Sequence, residues 1–155
     1  MALIRLTAGL GNIYGKPRFP IRSNKLRHLR LVTCYYTEDG CLAAAAKNFP
    51  LLEELHIYLS DMNKDDIEVI ALAVARNMPK LRHLSLLGNV LTNEGLYAIL
   101  DGCLHLQSLD IRHCFNINLE GDLGGRCKQQ IIDLKLPHDS TYGYEFDAQP
   151  WPSGL

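Results

Sequence analysis

The chain has 155 residues, 47% of them hydrophobic and 21% charged, and its sixteen basic side chains against seventeen acidic leave a formal charge of −1. That balance excludes a bulk electrostatic pull toward nucleic acid or anionic membrane, and the length predicts one domain with a modest core. No uninterrupted apolar run approaches the roughly 18 residues a membrane span needs.

Residues 1–25, with Gly9, Gly11, Gly15, Pro17 and Pro20, carry no periodic pattern and predict an irregular lead-in. Order begins with Leu26-Arg-His-Leu29-Arg-Leu31-Val-Thr-Cys34. The following stretch, Thr37 to Lys47, spaces apolar residues three and four apart and predicts a helix, ended by Asn48-Phe-Pro50. A second leucine copy, Leu52…Leu55-His-Ile57, precedes a helical pattern from Lys64 to Ala75, which stops at Asn77-Met-Pro79. The third, Leu81…Leu84-Ser-Leu86-Leu-Gly-Asn89, leads into a helix over 92–100, with Thr92 or Asn93 able to cap its amino end. After Gly102-Cys103-Leu104 comes the fourth, Leu106…Leu109-Asp-Ile111-Arg-His-Cys114. The next segment, Phe115 to Cys127, contains Gly121, Gly124 and Gly125, whose poor helix chemistry predicts an irregular element. A fifth, weaker copy, Ile131…Leu134-Lys-Leu136-Pro-His-Asp139, gives way to a partly ordered tail over 137–155.

The copies start 26, 29, 25 and 25 residues apart, and self-similarity at that period predicts a solenoid. The fold class is α/β: a short right-handed leucine-rich-repeat solenoid over 26–136, with parallel strands on the concave face and helices on the convex face. The strands are expected near 28–32, 54–58, 83–87, 108–112 and 133–137. Within each copy the first, fourth and sixth positions are apolar and point inward, and the third, fifth and seventh point outward. The ninth position, Cys34, Ser60, Asn89, Cys114 and Asp139, closes the turn; a buried amide such as Asn89 satisfies backbone groups there, and a small thiol packs in its place.

The outward positions align into one candidate surface for protein binding: His28, Arg30 and Val32; Glu54, His56 and Tyr58; His83, Ser85 and Leu87; Ser108, Asp110 and Arg112; Asp133, Lys135 and Pro137. Strands about 4.8 Å apart would make these columns one surface within reach of a single peptide or helix. Tyr58 and Arg112 are the residue types that most often dominate interface energy, and Arg30 suits a carboxylate or phosphate. His28, His56 and His83 fit plain surface histidines better than a pH sensor.

Other motifs resolve into structure. Asp61-Met-Asn63-Lys-Asp65 opens like a calcium loop, but Asp66 stands where glycine is needed and Leu72 where the bidentate acid belongs, so it reads as a helix cap. Gly9-Leu-Gly11-Asn-Ile-Tyr-Gly15 misses the dinucleotide spacing by one residue. Cys103, His105, His113, Cys114 and Cys127 can bind metal, yet Cys103 and Cys114 fall on core-facing positions. No nucleophile has a catalytic context, so neither a cofactor, a metal nor an enzymatic activity is expected. Five cysteines, an odd number, predict reduced thiols. With no basic leader ahead of Arg5 and no Asn-x-Ser/Thr acceptor, they fit a cytoplasmic or nuclear protein.

The cysteine-type repeat Cys103-Leu-His-Leu106-Gln-Ser-Leu109-Asp-Ile111-Arg-His-Cys114 and the helix openings Thr37-Glu-Asp-Gly40 and Thr92-Asn-Glu-Gly95-Leu resemble those of F-box/leucine-rich-repeat proteins. Leu51-Leu-Glu-Glu-Leu55, the segment from Cys114 to Cys127 and Leu136-Pro-His-Asp-Ser-Thr141 extend the resemblance to the small plant subgroup, over roughly residues 24–147. The resemblance implies the target-binding part of a substrate receptor for cullin-based ubiquitin ligases. Receptors of this kind dock on the ligase adaptor through an F-box; residues 1–23 are too few to form one, so adaptor binding is expected only if a box is supplied elsewhere. A truncated receptor acting as a competitor or without function, and a repeat scaffold regulating an enzyme such as a GTPase, are the alternative expectations; the target itself is not named by the sequence.

Overall fold

A computed structural model describes residues 27–32, 51–58, 64–88 and 90–142. The lead-in, the helix expected over 37–47, Cys34, Ser60, Asn89 and the chain beyond 142 lie outside the described residues. Five strands, β1 (His28–Val32), β2 (Glu54–Tyr58), β3 (His83–Ser85), β4 (Ser108–Asp110) and β5 (Asp133–Lys135), form one sheet in chain order. Every neighbouring pair is parallel, in the register His28–Glu54–His83–Ser108–Asp133. This is the leucine-rich-repeat solenoid that the periodicity predicts, one strand per copy.

Register follows from what each strand must bury. Leu29, Leu55, Leu84 and Leu109 pair side by side, and all are buried at 2% exposure or less. A shift of one residue would send that row to the solvent side and bring His28, Glu54 and His83 into the core. The inner row is completed by Ile57, Leu86 and Ile111, also buried, while Leu134 is only partly buried in the last layer.

Helices α1 (Lys64–Asn77), α2 (Asn93–Gly102) and α3 (Asp122–Gln130) connect β2 to β3, β3 to β4 and β4 to β5. Each turns a stripe at three- and four-residue spacing toward the leucines: Ile67, Ile70, Ala71 and Val74 on α1; Leu96, Ile99 and Leu100 on α2; Leu123 and Cys127 on α3.

Backbone hydrogen bonds lock the layers at both ends of the strands. At the entrance, Arg27 O accepts from the amides of both Glu53 and Glu54, and Glu53 O, Arg82 O and Gln107 O do the same for the following layer. β3, β4 and β5 are shorter than the expected 83–87, 108–112 and 133–137, because the chain turns after Ser85, Asp110 and Lys135. Pairing nonetheless continues through the turn: Leu86 N donates to Asp110 O, Gly88 N to Arg112 O, Ile111 N to Lys135 O and His113 N to Pro137 O, at 2.8–3.1 Å. Cys114 closes its turn by donating from Sγ to Leu86 O one layer back, at 3.0 Å. The Asp139 carboxylate closes the last described turn by accepting from Leu136 N at 2.8 Å. Burial pushes the Cys103 thiol up to about 11 and also raises Cys127, as expected of inert core cysteines.

Two expectations change. Thr92 occupies the N-cap position of α2 but its side chain does not cap that helix. Glu68 of α1 takes it instead, its Oε1 accepting from both Thr92 N (2.9 Å) and Thr92 Oγ1 (2.5 Å), so the threonine joins two layers.

The segment expected to be irregular forms α3. Two of its glycines lie inside the helix, and Gly124 has a packing reason: a Cβ there would sit 2.1 Å from the carbonyl oxygen of Leu119. Gly125 faces open space. Burial of Leu123 and Cys127 outweighs the low helix propensity. Gly125→Ala is therefore expected to stabilise the protein by about 0.5–1 kcal/mol. Gly124→Ala, the same chemical change one residue away, should destabilise it; urea unfolding of the two variants gives the signs.

Candidate protein-recognition surface

Strand alternation and register arrange the outward side chains in columns across the layers. The first column runs His28, Glu54, His83, Ser108, Asp133, and the second Arg30, His56, Ser85, Asp110, Lys135. The backbones of Arg30 and Tyr58 take their places in register, and their side chains lie outside the described part. The side chains that were candidates for one open surface separate into three groups.

His83, Asp133 and Lys135 are exposed, and Ser108 is half-buried, its hydroxyl 3.4 Å from Asp133 Oδ2.

His28, Glu54 and His56 form a half-buried cluster. Glu54 accepts from both imidazoles, with Oε2 at 2.6 Å from His28 Nδ1 and Oε1 at 2.5 Å from His56 Nε2. Burial acts to raise the Glu54 carboxyl, but the hydrogen bonds from His56 and His28 and their charge outweigh it and hold the group below its ordinary 4.5. The carboxylate thus fixes both rings across two strands. His56 Nδ1 is buried without a hydrogen-bond partner among the described residues, a polar atom at the foot of the cluster.

Ser85, Leu87, Asp110 and Arg112 are buried, at 3–6% exposure, rather than open to a partner. For Asp110 and Arg112 the cause is the chemistry of the arginine. It lies two residues after Asp110, in the turn just past β4, and its guanidinium folds back to grip that carboxylate at both oxygens: Nε to Oδ1 at 2.9 Å and Nη2 to Oδ2 at 2.7 Å. The Arg112 amide also donates to Oδ1 at 3.1 Å, and Nη1 reaches the Ser140 carbonyl of the next layer at 2.8 Å. This residue was expected to anchor a partner; it is instead a tie between layers. Nearby, Phe115 is 61% exposed; it stacks on His113 with ring centroids 5.4 Å apart and meets His138 at a tilt of 35°, 5.2 Å away. Cys103, Cys114 and Cys127 sit in the core, and no cluster of three metal-capable side chains exists among the described residues. No helix there is long and apolar enough to cross a membrane.

One feature was missed in the sequence: a groove of about 290 Å³ at the strand-entry rim, lined by Arg27, Leu51, Glu53, Lys80, Arg82 and His105. The signal was present as the pentapeptide Lys-Leu-Arg-His-Leu, which occurs at both 25–29 and 80–84 with Leu51-Leu-Glu-Glu-Leu55 between them. These residues lie just before each strand, outside the alternation that aligns the outward positions.

Because the Asp110–Arg112 pair is buried, losing one partner strands a charge. Asp110→Ala or Arg112→Ala alone should each cost about 3–5 kcal/mol. The combined Asp110→Leu, Arg112→Met replacement should cost less than the sum of the two single changes, and denaturant unfolding of all three variants measures the coupling.

With this geometry in place, the comparisons are specific. The family model for the LRR repeats of the FBD-associated F-box protein At5g56370 matches residues 24–120. Putative F-box/LRR-repeat protein 23 of Arabidopsis thaliana is 42% identical over 147 residues, covering 77% of this chain and 33% of that protein. F-box protein SKIP19, also of Arabidopsis thaliana, is 40% identical over 151 residues, covering 82% of this chain and 49% of its own length. Putative F-box/LRR-repeat protein 22 of the same plant is 39% identical over 150 residues, 81% of this chain and 48% of that one. The chain thus spans a third to a half of the length of these relatives. No solved structure matches it. The in-register leucine ladder, the thiol-closed turn and the matched family model place one conclusion on firm ground: this chain belongs to the plant F-box/leucine-rich-repeat family.

Proposed function

We propose that the chain is a non-catalytic recognition module, the target-binding part of a receptor for a cullin-based ubiquitin ligase working in the cytoplasm or nucleus. The observation that carries this reading is the in-register display of unlike side chains on a rigid sheet: a His–Glu–His cluster and His83 toward one end, Lys135 and Asp133 at the other. A solenoid holds such groups at fixed spacing, so a partner meets a preorganised surface and less ordering entropy opposes binding. The buried Asp110–Arg112 pair stiffens the floor between the two ends. Adaptor recruitment belongs, in this reading, to an F-box in the same receptor, with these repeats choosing what is presented.

The test joins the full chain to an F-box at its amino end and measures ubiquitin transfer to a protein that the chain itself captures. His83→Glu and Lys135→Glu change exposed groups and should leave the fold intact, yet each should weaken capture and transfer by about tenfold or more. Leu72→Glu, on the exposed side of α1, should change neither. Capture without transfer, or equal loss with Leu72→Glu, contradicts the proposal.

A further inference from the structure

The rim groove differs chemically from the sheet face beside it. Arg27, Lys80 and Arg82 bring three full cations to it against one carboxylate, Glu53, and His105 adds an imidazole. Arg27 and Glu53 are engaged with each other, Arg27 Nε lying 3.7 Å from Glu53 Oε1, so Lys80 and Arg82 supply the net positive charge of the groove. The side chains of Lys80, Arg82 and His105 are exposed and have no ion-pair or hydrogen-bond partner among the described residues. The backbone amides of Glu53, Glu54, Arg82 and His83 are spent on carbonyls of the preceding layer, so at these positions the side chains are what a ligand meets.

These observations define the occupant. A cavity of about 290 Å³ suits one or two side chains rather than a large ligand. Leu51 supplies an apolar wall for a methylene stem, and the guanidinium and ammonium groups suit an oxyanion at its tip. The positive stretch is short. In the next two layers the equivalent rim positions are Gln107, Gln130 and Ile132, so the rim offers no extended basic track for a nucleic-acid backbone. The groove also adjoins the first outward column, because Arg27, Glu53 and Arg82 immediately precede His28, Glu54 and His83.

We infer that the rim groove formed by Lys80, Arg82 and His105 with Arg27 and Leu51 binds an acidic peptide segment through the oxyanion of one side chain, carboxylate or phosphate. This site lies outside the outward columns, and its ligand class goes beyond the receptor reading. It acts as an electrostatic clamp at the edge of the sheet, fixing one end of a partner while the face reads the rest.

The test needs no ligase component, so its failure is separate from that of the receptor reading. Fluorescence anisotropy with the full chain compares three labelled eight-residue peptides of one scaffold, carrying glutamates, phosphoserines or glutamines. The two acidic peptides should bind and the glutamine peptide should not, with affinity falling as salt rises from 50 to 300 mM. Preference between the glutamate and phosphoserine peptides identifies the source of the oxyanion. Lys80→Glu with Arg82→Glu should reduce acidic-peptide affinity by about tenfold or more. Both residues are exposed, and an unchanged circular dichroism melt verifies the fold. Lys128→Glu, an exposed charge change on α3, should leave binding intact. Equal binding of the glutamine peptide, no binding of either acidic peptide, or undiminished binding by the double variant overturns the site.

Discussion

Parallel strands about 4.8 Å apart, each forced to bury the same alternate leucines, are the constraint from which the other features follow. Leu29, Leu55, Leu84 and Leu109 stand side by side in the core, and because side chains alternate, the residues between them must stand side by side outside it. Burial therefore does more than stabilise the domain. It sets the address of every group a partner meets, and an error of one residue would exchange core and surface.

The same stacking explains why several polar residues act between layers as well as within one. Glu68 holds Thr92, Asn93 exchanges hydrogen bonds with Asn118, Cys114 reaches Leu86 O, and Arg112 reaches Ser140 O. Each contact joins residues about one repeat apart in sequence, as expected of a solenoid whose layers touch only their neighbours. Charges along the entry side obey this logic too. An acidic layer, Glu53 and Glu54, lies between layers carrying Arg27 with His28 and Arg82 with His83, which places opposite charges opposite each other across the strands. The Arg27–Glu53 pair and the His28–Glu54 hydrogen bond are two products of that alternation.

Much of this architecture is legible in the sequence because leucine spacing is a long-range signal: four steps of 25 to 29 residues suffice to give strand number, order and register. The helices α1 and α2 are equally legible from apolar residues three and four apart. What pattern alone does not give is how neighbouring side chains share their polar groups. Arg112 has the composition of an interface anchor, but its own strand places Asp110 within reach, and the pair closes on itself. Thr92 has the chemistry of a cap, but a glutamate on the preceding helix claims its hydroxyl. For α3, glycine propensity suggested irregularity, whereas the close approach of Leu119 O to Gly124 makes one of those glycines a packing requirement. The rim groove arises from residues just before four successive strands, and only the register brings them together.

The stacked sheet is defined by which neighbours surround a single buried leucine. In an NMR spectrum of the methyl-labelled chain, Leu109 should show nuclear Overhauser contacts to the methyl groups of both Leu84 and Leu134, its partners on either side. Contacts to only one of them, or helix-type sequential contacts through residues 108–112 in place of both, would contradict the stacked sheet and the surface derived from it.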